Sequence, residues 1–296
     1  MEKIRVGIIG TGNVGTDLLI KVQRSQVLTC GVFTGVDSES DGIKLAESLG
    51  VLTSCESIHV IEDHPDLCDI VFDATSARFH LQHAPILKRM GKFTIDLTPS
   101  HVGKMCIPVL NLLDCLEESN VNLISCGGQA AVPIAHAIVS THPETEYIEV
   151  ISSMSSKSAG PGTRANIDEF TRINKEATIS FTGVPKAKSI FILNPAEPPV
   201  IMNNTIYAKI HKPDIHSLAK NIAAMAGRIR SYVPGYDIAV GPVFENGRVT
   251  TMITILGSGD FLPKYAGNLD IISCAAVKVA EEYARRKILK WEVADG

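Results

Sequence analysis

The sequence lacks the features that mark membrane, secreted and nucleic-acid-binding proteins. No segment approaches about 18 uninterrupted apolar residues, the length needed to cross a bilayer. The first residues, Met-Glu-Lys-Ile-Arg, have neither the apolar core nor the cleavage site of a signal peptide. The formal net charge is −4 and no basic stretch is longer than Arg285–Lys287, which disfavours general nucleic-acid binding. We therefore expect a cytoplasmic protein that binds neither a membrane nor nucleic acid.

Paired cysteines and metal-ligand spacings are also missing from the sequence. It has no CxxC pair and no Cys/His cluster with the spacing of a zinc site. The seven cysteines are Cys30, Cys55, Cys68, Cys106, Cys115, Cys126 and Cys274. An odd, scattered set is typical of free thiols in a reducing compartment. His80 and His83 lie three residues apart on a predicted helix, but their apolar neighbours favour ordinary packing, and we predict no metal site.

The sequence does contain enough apolar residues to form the cores of two folded domains. Its 296 residues are 45% hydrophobic and 20% charged, which is typical of a folded chain and not of a disordered one. In the first part, strand patterns alternate with helical patterns. The strands are predicted at 4–9, 27–36, 70–74, 93–96 and 121–125, and the helices at about 17–22, 42–50 and 79–91. This alternation predicts right-handed βαβ crossovers and an α/β fold with a doubly wound parallel sheet.

The pattern changes after Cys126. Strand-like segments cover 146–157, 177–194, 203–211 and 248–256, and helical patterns cover 214–232 and about 267–288. This order predicts a mixed or antiparallel sheet with helices on one face. We therefore predict two domains, a dinucleotide-binding domain of residues 1–125 with 267–296 and an α+β domain of residues 126–266.

The first predicted strand runs directly into a GxGxxG segment, Gly10–Gly15. Gly10 would permit the tight turn, Gly12 the approach of a pyrophosphate, and Gly15 close packing of the helix on the strand. An acid, Asp37, follows at the end of the second predicted strand. Its carboxylate would bind the ribose hydroxyls and repel a 2′-phosphate, which favours NAD over NADP. On the residues alone, the alternative is a glycine-rich turn of another α/β protein, with Asp37 in a surface turn.

Cys126 is the candidate nucleophile. It stands in Ser-Cys-Gly-Gly-Gln-Ala between a short predicted strand and a helical pattern. The N–H groups of a helix start lower a thiol pKa and stabilise an oxyanion, and Gln129 would donate a further hydrogen bond to that oxygen. On the residues alone a buried structural cysteine is the commoner outcome.

The segment Ser158–Asn166 is a candidate binding loop. It combines two glycines, a proline and a cation, so its amides and Arg164 would suit a phosphate or a carbonyl group. An equally acceptable interpretation is a structural loop in which Arg164 pairs with Asp168 on the following helix.

Several long blocks of this chain resemble the acylating acetaldehyde dehydrogenases, which are paired with 4-hydroxy-2-oxovalerate aldolases in aromatic degradation. The resemblance extends from Val6 to the final helix. The blocks are GTGNVGTDL at Gly10–Leu18, GVDSESDG at Gly35–Gly42, VFDATS at Val71–Ser76, IDLTP at Ile95–Pro99, CGGQA at Cys126–Ala130, SKSAGPGTRANIDEF at Ser156–Phe170, ILNPAEPP at Ile192–Pro199, YVPGY at Tyr232–Tyr236 and YAGNLDI at Tyr265–Ile271. Blocks of this length in the same order are far more specific than one glycine motif.

The resemblance implies a Rossmann-type domain joined to an α+β domain that carries the catalytic cysteine and forms a homodimer. It makes Cys126 the acyl-thioester residue, beside the expected oxyanion donor Gln129. Together with the glycine motif, it yields a set of expected cofactor-binding residues. These are Gly10, Thr11, Gly12, Asn13, Val14, Asp37, Ser158, Ala159, Gly160, Pro161, Gly162, Thr163, Arg164, Ala165, Asn166 and Asn268.

The function implied is oxidation of a short aldehyde, acetaldehyde or propanal, with NAD and transfer of the acyl group to coenzyme A. One departure concerns the second step, because members tend to carry an aspartate where this chain has Asn204, and an amide only forms hydrogen bonds. Two alternatives stay open: a semialdehyde dehydrogenase that uses phosphate, and an NAD-binding subunit that regulates an aldolase. His101 and His136 are either bases or structural residues, and Glu197 has a functional role or a buried ion pair.

Overall fold

The computed structural model describes residues 3–160, 163–164 and 166–294, with side chains as far as residue 289. The contacts divide the chain into two compact units. The first contains Met1–Leu123 and Ser273–Gly296, and the second contains Ile124–Ile272. The sequence predicts these boundaries after residues 125 and 266, whereas the contacts put them after Leu123 and Ile272. The start of the last helix therefore belongs to the second unit. No helix in the described ranges is both long enough and apolar enough to span a membrane.

The first unit is built on a seven-stranded sheet in the order β3-β2-β1-β4-β5-β7-β6, and every strand pair is parallel. The strands are β1 (Ile4–Ile9), β2 (Leu28–Thr34), β3 (Thr53–Ser54), β4 (Ile70–Asp73), β5 (Phe93–Asp96), β6 (Lys104–Met105) and β7 (Asn120–Asn122). The helices are α1 (Asn13–Arg24), α2 (Asp41–Ser48), α3 (His59–Asp63), α4 (Ala77–Arg89) and α5 (Pro108–Cys115). This doubly wound parallel arrangement confirms the predicted fold class.

The central strands form because their side chains are apolar on both faces. Ile8 and Val71 have no solvent exposure, as expected for a parallel sheet covered on both sides. Helices α2 and α4 begin where a serine caps them: Ser40 accepts a hydrogen bond from the Ile43 amide, and Ser76 accepts one from the Phe79 amide. Because β1, β4 and β5 are parallel, their carboxyl ends lie at one edge of the sheet, where doubly wound folds bind ligands.

The second unit contains a mixed five-stranded sheet in the order β11-β12-β10-β8-β9. Its strands are β8 (Tyr147–Ser155), β9 (Ala187–Asn194), β10 (Met202–Lys209), β11 (Tyr236–Glu245) and β12 (Arg248–Ile255), and its helices are α6 (Cys126–Thr141), α7 (Ile167–Thr182) and α8 (Ile215–Arg230). All pairs are antiparallel except β8–β9, which is parallel. Helix α6 is buried along most of its length, against α7, α8 and β10. A last helix, α9 (Gly267–Ala294), begins in this unit.

Two predictions of secondary structure were wrong, and one strand was missed. Residues 177–182 belong to α7 and not to a strand, although they include Ile179 and Phe181. The helix ends at Gly183, whose φ of 72° is readily adopted only by glycine. Strand β11 was not predicted, and β7 stops at Asn122, before the segment that leads to Cys126. In each case the packing of the whole chain overrode the local pattern.

Candidate active site

The glycine loop of the first unit has the geometry of a phosphate-binding turn. Gly10 has a φ of 114°, and a Cβ on Gly15 would lie 1.8 Å from the Gly10 carbonyl oxygen. Helix α1 starts directly after the loop, with Gly12 as its N-cap. A Cβ on Gly12 would meet no atom within 4 Å. Gly12 therefore leaves open space at the positive end of a helix, which is where an anion binds.

Asp37 and the loop after β2 lie next to this glycine loop. The Ser40 hydroxyl donates to the Thr11 hydroxyl at 3.1 Å, and a Cβ on Gly42 would lie 2.3 Å from the Thr11 carbonyl oxygen. Asp37 is exposed, and its Oδ1 accepts a hydrogen bond of 3.0 Å from the Glu39 amide. A surface turn and a ribose-binding carboxylate are thus compatible at this position.

These residues fit a dinucleotide. The open side of Gly12 would admit a pyrophosphate, the exposed Asn13 stands in the first turn of α1, and Val14 is half-buried behind it. The Asp37 carboxylate would hold ribose hydroxyls. The chemistry that NAD supplies when bound is acceptance of a hydride.

The turn before the nucleophile is strained. Ile124 has a φ of 66°, a left-handed conformation that is rare for a β-branched residue. Such a residue costs about 1–3 kcal/mol and persists only where its surroundings fix it. Ser125 is then extended, with a φ of −169°, and its hydroxyl accepts a hydrogen bond of 3.0 Å from the Gly128 amide. Cys126 is consequently the first residue of α6.

The Cys126 thiol has a pKa unlike that of a free cysteine. Burial raises this pKa from its ordinary value of 9.0 to about 12, against the opposing effect of the Gly127 and Cys126 amides. The residue nevertheless keeps partial solvent exposure, so a reagent has access to it. Its thiol is protonated at neutral pH and must lose a proton before it attacks a carbonyl group.

Gln129 lies one helical turn beyond Cys126 and is 1% exposed. Its backbone amide donates to the Ser125 carbonyl oxygen at 2.9 Å. Residues three apart on a helix share a face, so its position is compatible with the predicted oxyanion contact. That role stays a prediction.

Buried polar side chains from α7, β8 and β10 surround the turn. Asn174 on α7 accepts a hydrogen bond from the Ser125 hydroxyl. Ser152 on β8 donates to Asn204 on β10 at 2.5 Å. A Cβ on Gly127 would lie 2.6 Å from Asn174 Nδ2 and 2.7 Å from Ser152 Oγ. Asn204 is thus linked through Ser152 to the nucleophile turn, which comprises residues 124–128. Asn174 and Ser152 were not predicted from the sequence.

Arg164 forms hydrogen bonds with residues at the start of its own loop. Its Nε donates to the Ala159 carbonyl oxygen at 3.1 Å, and its Nη2 donates to the carbonyl and hydroxyl oxygens of Ser156 at 2.8 Å. Among the described residues these oxygens, and not the Asp168 carboxylate, are the partners of Arg164, so the predicted partner was wrong. The structural and the ligand-binding interpretations of the loop both stay open.

The remaining predicted residues of this segment differ in their exposure. Ser158 and Ala159 are buried, Gly160 is exposed, and Thr163 and Asn166 are half-buried. Pro161, Gly162 and Ala165 lie outside the described residues.

Asn268 stands in the first turn of α9 and is 2% exposed. Its Oδ1 has no hydrogen-bond partner among the described residues. Buried polar atoms without partners are rare in native proteins, so this amide is suited to a ligand contact. Cofactor binding by Asn268 stays a prediction.

The predicted residues thus fall into two groups. Gly10 to Val14 and Asp37 lie in the first unit, while Cys126, Gln129, the segment 158–166 and Asn268 lie in the second. Within the first unit the hydrogen bond from Ser40 ties the Asp37 loop to Thr11.

His80 and His83 form a buried network that the sequence did not suggest. Their Nδ1 atoms lie 2.9 and 2.8 Å from the same Asp73 oxygen. Burial opposes ionisation of Asp73, but the two histidine bonds hold its pKa well below the usual range. Burial also opposes protonation of His80, and the Asp73 bond with the Asp96 charge outweighs it and raises the pKa. Both histidines are buried, as ordinary packing predicts, but their shared carboxylate partner was not predicted.

The other candidate polar residues are His101, His136 and Glu197, and each has its own surroundings. His101 is exposed with a φ of 59°, and burial lowers the pKa of His136. Glu197 pairs with Lys157 at 2.7 Å, but both side chains are more than half exposed, so the ion pair is not buried. No group of three or more metal-ligating side chains is present in the described ranges.

Two domain families each match a part of this chain. "Semialdehyde dehydrogenase, NAD binding domain" matches residues 5–111, and "Prokaryotic acetaldehyde dehydrogenase, dimerisation" matches residues 126–263. The first match covers the glycine loop and Asp37, and the second begins at Cys126. The chain therefore has an NAD-binding domain followed by a domain of the dimerisation type.

Relatives named acetaldehyde dehydrogenase align along nearly the whole chain. That of Pectobacterium atrosepticum is 51% identical over 95% of both chains, and that of Spirochaeta aurantia is 50% identical over 96% of both. The protein of Geobacillus stearothermophilus is 48% identical over 97% of this chain and 98% of its own.

A solved structure supports the fold. Aspartate semialdehyde dehydrogenase II of Vibrio cholerae superposes with a TM-score of 0.65 over 96% of this chain and 99% of its own, at 14% identity. At that identity the likeness extends to the fold alone. The near-complete alignment with relatives of about 50% identity decides the family, and this chain belongs to the acetaldehyde dehydrogenase family.

Proposed function

We propose that this enzyme oxidises acetaldehyde or propanal with NAD through a thioester on Cys126 and transfers the acyl group to coenzyme A. The observation that carries the proposal is the placement of Cys126. It is the first residue of a buried helix, after a strained turn, at the first position of the dimerisation-type domain. A structural cysteine does not require such a turn.

In the first half-reaction the Cys126 sulfur bonds to the aldehyde carbon. The thiol proton leaves, and the carbonyl oxygen of the resulting thiohemiacetal becomes negatively charged. The amides of Gly127 and Gly128, with Gln129, are the expected donors to that oxygen. NAD, which the glycine loop and Asp37 would hold, would supply the acceptor for the carbon-bound hydrogen as hydride, so that a thioester remains and the two-electron oxidation balances.

In the second half-reaction the thiol of coenzyme A attacks the thioester carbon, and the Cys126 thiolate departs. The incoming thiol must lose a proton. Asn204 is unsuited to accept it, because its Oδ1 already accepts from Ser152 and an amide is not a base. We therefore expect deprotonation to depend on the solution pH more than on this side chain.

Asp37 would select NAD by repelling a 2′-phosphate. The sequence resemblance also gives Asn268, Ser158 and Arg164 as cofactor-binding residues. The dimerisation-type domain supports a homodimer as the assembly of this chain. An aldolase that supplies the aldehyde is proposed from the sequence resemblance and is tested by copurification from cells that express both proteins.

The test is NADH formation from NAD and acetaldehyde, with and without coenzyme A. We expect turnover that requires coenzyme A, and loss of turnover in Cys126→Ser with NADH binding retained, because the hydroxyl is a far weaker nucleophile. The control Cys55→Ser alters an exposed thiol and should keep the activity. Phosphate-dependent turnover would instead favour the semialdehyde dehydrogenase reaction, and cofactor binding without turnover would favour an aldolase-regulating subunit.

A further inference from the structure

Asn174 lies 48 residues beyond Cys126 in the sequence, on a different helix, yet it contacts the nucleophile turn at three positions. These positions are Ser125, Gly127 and Gly128. We propose that Asn174 is a positioning residue for Cys126, which acts through Ser125. The proposal rests on Cys126 being the nucleophile, but its test does not require aldehyde oxidation.

The first observation is a chain of hydrogen bonds from α7 to the start of α6. Asn174 Oδ1 accepts from the Ser125 hydroxyl, and the oxygen of that hydroxyl accepts from the Gly128 amide at 3.0 Å. Ser125 is the N-cap of α6, so its rotamer fixes where the helix begins. Asn174 fixes that rotamer because it uses the hydroxyl proton.

The second observation is close packing without room for a side chain. A Cβ on Gly127 would lie 2.6 Å from Asn174 Nδ2, and a Cβ on Gly128 would lie 2.9 Å from Asn174 Oδ1. The Asn174 amide group therefore lies directly against the backbone of both residues. At 2% exposure it is buried and has little freedom to move away.

The third observation is the strain before the turn. Ile124 holds a φ of 66°, and its Cγ2 lies 2.8 Å from the position of a Cβ on Gly128. A left-handed β-branched residue relaxes unless its neighbours prevent it. Asn174 holds the residues on the helix side of Ile124, so it also opposes relaxation of the turn that presents Cys126.

The consequence concerns the thiolate. The Gly127 and Cys126 amides lower the thiol pKa only while the turn keeps them aligned with the sulfur. Without Asn174 the turn loosens, the amides lose this alignment, and the thiolate becomes harder to form. Its formation should shift to higher pH, while the cofactor-binding loop of the other unit is unaffected.

The experiment measures alkylation of Cys126 by iodoacetamide against pH, by peptide mass analysis, in the full-length enzyme. The variants are Asn174→Ala, Ser125→Ala and the double variant. Thr178→Ala serves as control, because Thr178 is buried one turn further along α7 and its hydroxyl donates only to the Asn174 carbonyl oxygen. NADH binding and the melting temperature are measured on every variant.

We expect each single variant to alkylate about tenfold more slowly at a given pH, the factor that corresponds to one pKa unit. Since both residues act in one chain, the double variant should be no slower than the slower single variant. Thr178→Ala should alkylate at the unaltered rate, and all variants should bind NADH.

The proposal is overturned if Asn174→Ala alkylates as fast as the parent enzyme or faster, or if the two single effects multiply in the double variant. If Asn174→Ala fails to fold, Asn174→Leu decides, because it removes the acceptor of the Ser125 hydroxyl, fills most of the space and leaves the Gly128 bond of Ser125 in place. Failure of the aldehyde reaction in the parent enzyme, with the alkylation pattern intact, would reject the proposed function and leave the role of Asn174 standing.

Discussion

The glycine loop after β1 and the nucleophile turn before α6 both lead into a helix, but they are built from different types of residue. The glycine loop uses residues that tolerate unusual backbone angles, as Gly10 does with its φ of 114°. The nucleophile turn instead places a strained isoleucine, Ile124, and fixes it with buried polar side chains. The loop remains open to a ligand at Gly12, whereas the turn is packed against α7 at Gly127.

This difference has a physical meaning. A phosphate-binding loop needs exposed amides and an open approach, and glycine provides both locally. A nucleophile must be held in one orientation, and this takes contacts from elements that are distant in the sequence. The phosphate-binding loop can therefore be recognised from a short sequence motif. The contacts that orient the nucleophile can be recognised only from the folded structure.

The largest effect that would sharpen this comparison is expected within the glycine loop. Gly15→Ala would place a Cβ 1.8 Å from the Gly10 carbonyl oxygen, so helix α1 would have to shift. We expect loss of NADH binding and a lower melting temperature. Gly12→Ala would meet no protein atom and should fold normally, with binding weakened only by contact with the cofactor. Equal melting temperatures for the two variants would contradict this account of the loop.

A second, smaller effect concerns the pH at which Cys126 reacts. Its pKa is raised to about 12 by burial, so the thiol is protonated below that value and the thiolate forms as the pH rises. Alkylation in the absence of substrate should therefore accelerate about tenfold per pH unit, without a plateau near the ordinary thiol pKa of 9.0. Rates measured by mass analysis of the Cys126 peptide test this. A plateau below about pH 9 would show that the helix amides outweigh burial.

The smallest effect is expected at Asp37. Asp37→Ala removes the carboxylate that would bind ribose hydroxyls and repel a 2′-phosphate. The preference for NAD over NADP, measured as the ratio of kcat/KM values, should fall by about tenfold, which corresponds to about 1.4 kcal/mol. Melting temperature should not change because Asp37 is exposed. An unchanged cofactor preference would place the discrimination on other residues.

The sequence allowed much of the first unit to be predicted. Strands β1 and β5 have the predicted bounds, and the parallel sheet is confirmed. Here the residues that decide the structure are adjacent in the chain, as in the passage from β1 through Gly10 to α1. The same holds for the serine caps of α2 and α4.

The surroundings of the nucleophile were not predictable to the same degree. Asn174 and Ser152 reach the turn only because α7 and β8 pack beside α6. Their spacing from Cys126 in the sequence does not indicate a contact, and a single asparagine in a helical pattern does not indicate a role at a distant cysteine. The Asp73 network was missed for a similar reason, since the partner of His80 and His83 lies on a strand.

The central claim, that Cys126 carries the acyl group, is tested most directly by trapping the intermediate. The enzyme is mixed with NAD and acetaldehyde without coenzyme A, quenched in acid, and digested for mass analysis. We predict one acetyl group on the Cys126 peptide, formed together with one equivalent of NADH and released as acetyl-coenzyme A when coenzyme A is added before the quench. NADH formation with an unmodified Cys126 peptide, or with the acetyl group on another residue, would contradict the account.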